Sequence, residues 1–331
     1  MPQISEITHL KDLWNEKDAA VLGGNQLSLL RYRSNLLGAD LRITNFGGGN
    51  TSSKIELPDP FTGAPERVLA VKGSGGDLGS IKESGFALLY LDRLEQLKGL
   101  YRGEEQEDDM VKYYPLSAFG ENRVAASIDT PLHAFLPFPH VDHLHPDWAI
   151  AIAASANGKA KLAEFNRRFG RNIEWLAWQR PGFELALQLE RAVKENPGCD
   201  GVLLGSHGLF TWGQTQRECY ENSIRTIDQM GEFILEHQMG KGPAFGGLRH
   251  KPLENRQDIA AAILPILRGI ASSNRRVIAH YTDHEDALMF AGRNGRKNSG
   301  SSVRVALIIS YGRGSVLCSC RGNRAKRALR F

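Results

Sequence analysis

The 331-residue sequence has no long apolar run and few cysteines. Its longest apolar run, AIAIAA from Ala149, is far too short to span a bilayer, so we expect no membrane partner. The polar N-terminal stretch MPQISEITHLKDLWNEKD has no apolar segment of the kind found in a signal peptide. The four cysteines, Cys199, Cys219, Cys318 and Cys320, show no paired metal-type spacing. A reduced, cytoplasmic setting fits this composition best.

Acidic residues are absent from residues 293–331, which contain ten Lys or Arg. The whole chain has a formal net charge of +4, but removing this segment leaves 31 basic against 37 acidic residues, or −6. The basic pI therefore reflects the last segment alone, and the rest of the chain is acidic. We expect no nucleic-acid partner.

Helical and β-type patterns alternate along the chain. We predict one helix over 18–37, where Leu27, Leu30 and Leu37 are helically spaced, and two β-rich runs over 41–57 and 67–81, each broken by a glycine cluster. Five later segments have helical patterns: 123–136, 147–170, 181–198, 215–239 and 257–270. The stretch GVLLGSHGLFTWG indicates two strands around a turn. This alternation predicts an α/β domain with a central sheet.

The two glycine clusters have the composition of anion-binding turns. In NFGGGNTSSK the glycines permit positive φ and close backbone approach, and Asn50, Thr51 and Ser52 add polar groups. KGSGGDLGSI repeats the arrangement with Lys72 and Ser74. Neither stretch matches a dinucleotide-binding or P-loop motif. A single glycine-rich turn is usually no more than a tight turn, but two such turns rich in hydroxyl groups favour a phosphate cradle.

Three histidines lie within the stretch HVDHLHPDW. Residues two apart on a strand share a face, so His143 and His145 point the same way and His140 points oppositely. A His-x-His pair can supply two ligands of a tetrahedral zinc, which then needs a third ligand from elsewhere. The best candidate is His207, at a strand tip in LLGSHGLFTW. The alternative is that all of these are core or surface histidines with ordinary hydrogen bonds.

Five segments, in order, resemble the class II aldolase/adducin superfamily of zinc-dependent sugar-phosphate aldolases. They are GGGNTSSK, VKGSGGDL, SIDTPLHAFLP, HVDHLHP and GSHGLFTWG, and the resemblance covers roughly residues 41–213. It implies an α/β fold, a three-layer α/β/α sandwich with a central, mostly antiparallel sheet. It also implies a homo-oligomer, usually a tetramer.

The same resemblance implies a metal-dependent aldolase that cleaves a ketose 1-phosphate to dihydroxyacetone phosphate and an aldehyde. Zn²⁺, or another divalent transition metal, would be held by His143, His145 and His207 and act as a Lewis acid. Asp129 would be the catalytic acid/base, with a pKa raised by an enclosed site. The phosphate-binding residues implied are Asn50, Thr51, Ser74, Gly75 and Ser127.

Asp129 departs from the pattern of many members, which have Glu at this position. The shorter side chain puts the reach of the carboxylate in question. Asp129 also precedes Thr-Pro-Leu, which suits the N-cap of a helix. The capping and catalytic roles are compatible.

Two further segments, WQRPGFELALQLE and RVIAHYTDHEDAL, resemble one branch of the superfamily. That branch is the aldolase portion of bifunctional proteins that join a rhamnulose-1-phosphate aldolase to a short-chain dehydrogenase. It implies cleavage of L-rhamnulose 1-phosphate to dihydroxyacetone phosphate and L-lactaldehyde. Two alternatives stay open: a pentulose-phosphate 4-epimerase on the same scaffold, and a non-catalytic, adducin-like binding module.

The chain changes character after Ala291, so we assign 1–290 to a class II aldolase-like domain and 291–331 to a basic tail. ALIISYGRGS can be back-translated so that another reading frame encodes PDHFLRTRI, and the upstream SSVRVA can give LGTSC. The branch has a segment resembling LGTSCPDHFLRT near this place. We hypothesise that a frameshift replaced the native continuation, including any dehydrogenase domain. On this hypothesis the tail is non-native and packs poorly.

Overall fold

The structure is a computed structural model that describes residues 7–44, 48–239, 248, 251–272, 276–278, 281–292, 305–311 and 314–320. The chain divides into two compact units, Met1–Gln238 and Met239–Phe331. No helix within the described ranges is both long enough and apolar enough to cross a bilayer. Much of the predicted basic tail, 293–304, 312–313 and 321–331, lies outside the described residues, so the proposed boundary at residue 290 stays a prediction.

Seven strands form the sheet of the first unit. They are β1 (Asn50–Pro58), β2 (Pro65–Lys72), β3 (Phe86–Tyr90), β4 (His140–Leu144), β5 (Ile173–Leu176), β6 (Gly201–Leu204) and β7 (Leu209–Gly213). The strand order is β3-β2-β1-β4-β7-β6-β5. The β5–β6 pair is parallel, and the neighbouring pairs from β3 to β6 are antiparallel. The sheet is therefore mixed, where the resemblance implied a mostly antiparallel one.

Eleven helices are described over the two units. In the first unit they are α1 (Glu16–Val21), α2 (Gln26–Gly38), α3 (Leu91–Gln96), α4 (Glu107–Met110), α5 (Thr130–Ala134), α6 (Asp147–Ala153), α7 (Gly158–Phe169), α8 (Phe183–Glu195) and α9 (Gln216–Gln238). The second unit contains α10 (Arg256–Ala271), α11 (Glu285–Gly292) and the antiparallel strands β8 (Val305–Tyr311) and β9 (Gly314–Cys320). Short 3-10 turns lie at Leu78–Ser80, Glu83–Gly85, Leu97–Gly99, Glu104–Gln106 and Val111–Ser117.

Helices cover both faces of the sheet because alternate strand residues are apolar on each side. On one face, Val71 and Phe210 belong to a core cluster with residues of α5 and α8. On the other face, Leu144 and Leu209 pack with residues of α6, α7 and α9. These two cores make the first unit a three-layer α/β/α arrangement. Below, the first face is called the α8 face and the second the α9 face.

The predicted single helix over 18–37 is two helices, α1 and α2. The chain breaks at Gly23 and Gly24, whose φ values of 60° and 78° lie in the left-handed region that favours glycine. Asn25 then accepts hydrogen bonds from the N–H groups of Leu27 and Ser28 and so caps α2. The three helically spaced leucines all lie in α2, so the prediction extended their helix too far towards the N-terminus.

Two other predicted elements differ in extent. Residues 41–44 are a turn and not a strand, because Asp40 accepts from the N–H of Arg42 and its carbonyl accepts from Ile43. The first glycine cluster therefore precedes β1 and does not follow a strand. Within 123–136 only Thr130–Ala134 is α-helical. The predictions around β4, β6 and β7, and those for α6 to α10, are confirmed to within a few residues.

Candidate metal centre and active site

His143 lies near the end of β4, directly opposite Asn50 of β1 and Phe210 of β7. Opposite residues on neighbouring strands point to the same face, so these three side chains meet on the α8 face. The His143 and Phe210 rings stack with centroids 4.2 Å apart and planes 12° apart. His145 follows two residues later, just beyond the strand. The predicted shared face of the His-x-His pair therefore brings both rings to one end of the sheet.

His207 is presented by the tight turn between β6 and β7. Ser206 has φ of 55°, an uncommon value for a residue other than glycine, and its N–H donates to the carbonyl of Ala153. The turn passes so close to β4 that a Cβ at Gly208 would stand 2.7 Å from Cδ2 of His145 and 3.0 Å from Cε1 of His143. Because residue 208 is a glycine, the turn can place the His207 ring next to the rings of the other two histidines.

The three predicted ligands meet through their Nε2 atoms. Nε2 of His143 lies 3.2 Å from Nε2 of His207 and 3.1 Å from Nε2 of His145. One ligand atom from each ring falls within 4.8 Å of the others. His140 is not part of this group: its Nδ1 contacts the hydroxyl of Ser53, 2.9 Å away. The predicted division between His140 and the other two histidines of the stretch is confirmed.

The three rings are neutral, and their nitrogen atoms cannot all form hydrogen bonds with one another. The group therefore fits a divalent cation. Burial lowers the pKa of His207 to about 4, lowers that of His145, and holds that of His143 well below its usual range. A neutral imidazole has one N–H to donate, and a nitrogen without it presents a lone pair. Ligands of a tetrahedral zinc at 2.0–2.1 Å stand about 3.3 Å apart, close to the separations of Nε2 of His143 from the other two Nε2 atoms.

Asp129 stands at the N-cap position of α5, yet within the described residues its side chain makes no capping hydrogen bond. Its Oδ1 is buried and has no hydrogen-bond partner in the described part of the chain. Burial raises the pKa of this carboxyl to about 6, against the opposing charge of Lys72. Asp129 occupies the cap position without using its carboxylate as the cap, which leaves that oxygen for chemistry near neutral pH.

The residues predicted around the first glycine cluster divide between the two faces of the sheet. Asn50 is buried beside His143, and its Nδ2 approaches the carbonyl of Lys72 at 3.5 Å. Thr51 points to the α9 face, where its hydroxyl lies 2.7 Å from that of Ser34. The structure thus brings the Asn50 side chain to the histidines and does not bring the Thr51 hydroxyl there.

The second glycine cluster is joined to the segment that leads to Asp129. The N–H of Ser74 donates to the carbonyl of Ala125 at 2.9 Å, and Gly75 has φ of 78°. Two residues beyond Ala125, the buried Ser127 accepts a hydrogen bond from the N–H of Asp129 through its hydroxyl, at 3.2 Å. Ser74, Gly75 and Ser127 are therefore held next to one another and close to the candidate acid/base.

Several residues around the site were not predicted from the sequence to have a role. Phe210 supports the His143 ring, and the alternation in LFTW could have placed it on that face. Asp142 is fully buried on the α9 face, where its carboxylate pairs with Arg33 at 3.1 Å and accepts from Ser223 at 2.8 Å. No local pattern pairs residues that stand more than a hundred positions apart. This ion pair anchors β4 on the face opposite to the His143 ring.

Comparison with known proteins gives three findings. The family model described as class II aldolase and adducin N-terminal domain matches residues 31–229. The chain is 38% identical over 283 residues to the uncharacterized oxidoreductase YuxG of Bacillus subtilis (strain 168), covering 85% of this chain and 40% of that protein. It is 31% identical, with a TM-score of 0.60, to the N-terminal class II aldolase domain of a conserved protein from Thermoplasma acidophilum, covering 68% of this chain and 99% of that one.

Proposed function

The chain belongs to the class II aldolase and adducin N-terminal domain family, and on this basis we propose that it is a metal-dependent aldolase. It cleaves a ketose 1-phosphate to dihydroxyacetone phosphate and an aldehyde. The observation that carries the proposal is the convergence of three imidazole nitrogens, within 4.8 Å of one another, in a family in which a divalent metal is typical. A purely structural role for one buried and two half-buried histidines, all neutral, would not require their Nε2 atoms to face one another.

His143, His145 and His207 would hold the metal, and Zn²⁺ is the ion that three imidazoles and an open fourth position suit best. When bound, it supplies Lewis-acid polarisation of the substrate carbonyl and stabilises the negative charge that develops there. Phe210 stacks on the His143 ring and fixes its orientation. Gly208 lets the turn that contains His207 lie close to His143 and His145. The protein thus supplies a preorganised set of three nitrogen donors.

Asp129 is the proposed acid/base for the cleavage. The carboxylate takes up at Oδ1 the proton of the hydroxyl group on the carbon that becomes the aldehyde. The bond to the neighbouring carbon then breaks, and its electron pair stays with the fragment that holds the carbonyl. Protonation of that carbon by Asp129 completes dihydroxyacetone phosphate and regenerates the carboxylate. A pKa of about 6 suits both steps, because the group is a base at neutral pH and a usable acid once protonated.

The phosphate of the substrate would lie between the two glycine clusters. Asn50, Ser74, Gly75 and Ser127 supply amide, hydroxyl and main-chain donors there, and positive φ at Gly75 turns the main chain around the anion. Thr51 could contribute only its main chain, since its hydroxyl contacts Ser34.

Our specific proposal for the substrate is L-rhamnulose 1-phosphate, with L-lactaldehyde as the aldehyde. It rests on WQRPGFELALQLE and RVIAHYTDHEDAL, which resemble the bifunctional aldolase/dehydrogenase branch. The chain spans 40% of the length of YuxG, whose name describes an oxidoreductase. We further propose Zn²⁺ as the metal and a homo-oligomer, a tetramer by family resemblance, as the assembly.

Metal analysis combined with a cleavage assay tests the proposal. We expect purified protein to contain close to one divalent metal per chain and to release dihydroxyacetone phosphate from L-rhamnulose 1-phosphate. His145→Ala should lose both properties. His140→Asn is the matched control, because Asn keeps a polar atom where Nδ1 of His140 meets Ser53; it should retain both.

Each alternative reading predicts a different result. A pentulose-phosphate 4-epimerase would contain metal and invert its substrate without releasing dihydroxyacetone phosphate. An adducin-like binding module would contain no metal and lack both activities. Full metal content and full cleavage in His145→Ala would contradict the proposed centre itself.

A further inference from the structure

A cavity of about 700 Å³ lies on the α9 face of the sheet, between α1, α2 and the start of α9. Trp14, Leu29 and Ile55 give it apolar walls, and His140 reaches it from the start of β4. A cavity of this volume can hold a small organic molecule. The proposed aldolase chemistry takes place on the α8 face and leaves this cavity without a role.

His140 turns one of its two ring nitrogens towards the cavity. The residue stands opposite Ser53 of β1, and its side chain is 6% exposed. Its Nδ1 contacts the hydroxyl of Ser53 at 2.9 Å. Its Nε2 has no hydrogen-bond partner in the described part of the chain, and it is not sealed off in the core. This nitrogen therefore faces the cavity that His140 lines.

A chain of buried polar side chains fixes which nitrogen of His140 carries the proton. Arg33 can only donate, so its hydrogen bond to Gln216 identifies the amide oxygen of that side chain. The amide nitrogen of Gln216 donates to Oγ of Ser53 at 3.0 Å, and the Ser53 hydroxyl then donates to Nδ1 of His140. Burial lowers the pKa of His140 to about 3, so the ring is neutral. Its single proton is on Nε2, where it is a donor towards the cavity.

The start of α9 adds two main-chain donors to the same cavity. Gln216 and Arg217 are the first residues of this 23-residue helix, and both line the cavity. Within the described residues their N–H groups have no hydrogen-bond partner, as is usual in the first turn of a helix. The first turn also carries the positive end of the helix dipole. The helix and His140 therefore favour the same kind of ligand group, an anionic oxygen acceptor.

The charged side chains that line the cavity are already paired or are exposed. Arg217 forms an ion pair with Glu16, and Nζ of Lys54 donates to the carbonyl of Leu136. Glu56 is exposed, so water and salt screen its charge. The remaining donors are neutral N–H groups. They suit a single negative charge better than the roughly −1.5 to −2 charges of a phosphate group.

We propose that this cavity binds a small organic carboxylate, whose oxygens accept from Nε2–H of His140 and from the N–H groups of Gln216 and Arg217. Its apolar part would pack against Trp14 and Ile55. The site lies on the face opposite to the His143 ring, and the inference does not depend on the proposed function. A molecule without an acceptor oxygen would leave the donor of His140 unpaired and bind weakly.

Titration with 4-fluorobenzoate, followed by ¹⁹F NMR, tests the proposal on the metal-loaded protein. This probe joins a carboxylate to a small apolar ring. The comparison compound is 4-fluorobenzylamine, which has the same ring but carries an ammonium group and no acceptor. We expect wild type to bind the carboxylate and not the amine.

Four variants locate the bound probe. His140→Asn keeps the contact with Ser53 but lacks the Nε2–H donor, and it should weaken binding about 10- to 100-fold, as loss of a hydrogen bond to a charged group should. Ala20→Trp fills the cavity from an exposed position on α1 and should abolish binding. Its matched control is Val21→Trp, at a neighbouring position that is 85% exposed and does not line the cavity. Val21→Trp and His145→Ala should bind like wild type.

Several results would overturn the inference. They are an absence of 4-fluorobenzoate binding by wild type, equal binding of the amine, and binding within twofold of wild type in either His140→Asn or Ala20→Trp. Loss of binding in His145→Ala would place the carboxylate on the metal centre and also overturn it. If His140→Asn does not fold, the comparison of Ala20→Trp with Val21→Trp decides the question, because both substitutions are at exposed positions.

Discussion

Replacement of Asp129 by Asn is the change that most directly tests the proposed site. Asn has nearly the shape of the protonated carboxyl but cannot take up a proton. Because the proposed reaction needs this carboxylate as a base, we expect kcat/KM at pH 8 to fall by about 10²- to 10⁴-fold. Wild-type kcat/KM should also fall as the pH drops through about 6, the pKa to which burial raises Asp129.

The same pKa predicts that the variant is more stable than wild type. The folded-state pKa of about 6 lies above the ordinary value of 3.8, so wild type loses stability as the pH rises from about 4 to about 6 and stays at the lower stability above that. A shift of this size corresponds to about 3 kcal/mol at pH 8. Asp129 keeps partial contact with solvent, and we therefore expect Asp129→Asn to gain about 1 to 3 kcal/mol there. At pH 5 the gain should be about half as large, and below pH 4 it should vanish.

Two assays on one pair of proteins check these numbers. Urea unfolding of metal-free wild type and Asp129→Asn at pH 5 and pH 8 gives the stability difference. Steady-state cleavage by the metal-loaded proteins across pH 5 to 9 gives the activity difference. Metal content, measured on both, shows whether the site itself is retained.

Two results would refute the reasoning. A variant with activity within tenfold of wild type would remove Asp129 from the chemistry. A stability difference that is the same at pH 5 and pH 8 would mean that the Asp129 carboxylate is not destabilised by burial, and the basis for its role near neutral pH would be lost.

Three further predictions follow from the same geometry. Gly208→Ala should lower the free energy of unfolding by about 1 to 3 kcal/mol and reduce metal content, because its Cβ would stand 2.7 Å from Cδ2 of His145. Urea unfolding measures the loss. Gly198→Ala is the neutral control, because a Cβ there meets nothing within 4 Å. Asp142→Asn leaves the buried Arg33 charge unpaired and should cost about 3 to 5 kcal/mol; a loss under about 1 kcal/mol would contradict this. Removal of metal by a chelator should lower the melting temperature, and Zn²⁺ added back should restore it in proportion to the logarithm of its free concentration; equal melting temperatures would argue against the centre.

Elements with strong local patterns could be predicted from the sequence, and elements defined by single side chains could not. The helices α8 and α9 have apolar residues at regular helical spacing, and β6 and β7 are two apolar runs joined by a short glycine-containing turn. Each of these patterns is complete within a short stretch of sequence, so the pattern alone identifies the element. The break between α1 and α2 depends on two glycines that precede the helically spaced leucines, and helical spacing alone does not show where a helix begins. The parallel β5–β6 pair depends on α8 crossing between those strands, which no single strand sequence specifies.

The candidate site divides in the same way. The sequence by itself determined that His143 and His145 share a face and that His140 does not, because side-chain direction along a strand alternates with a period of two residues. Only the tertiary structure decided that His207, 64 positions away, comes within 3.2 Å of His143. Only the structure showed that the Thr51 hydroxyl meets that of Ser34 and that burial raises the pKa of Asp129 to about 6. Distance and burial depend on which strands pair and what packs over them, and those choices are made by the whole core and not by any local stretch.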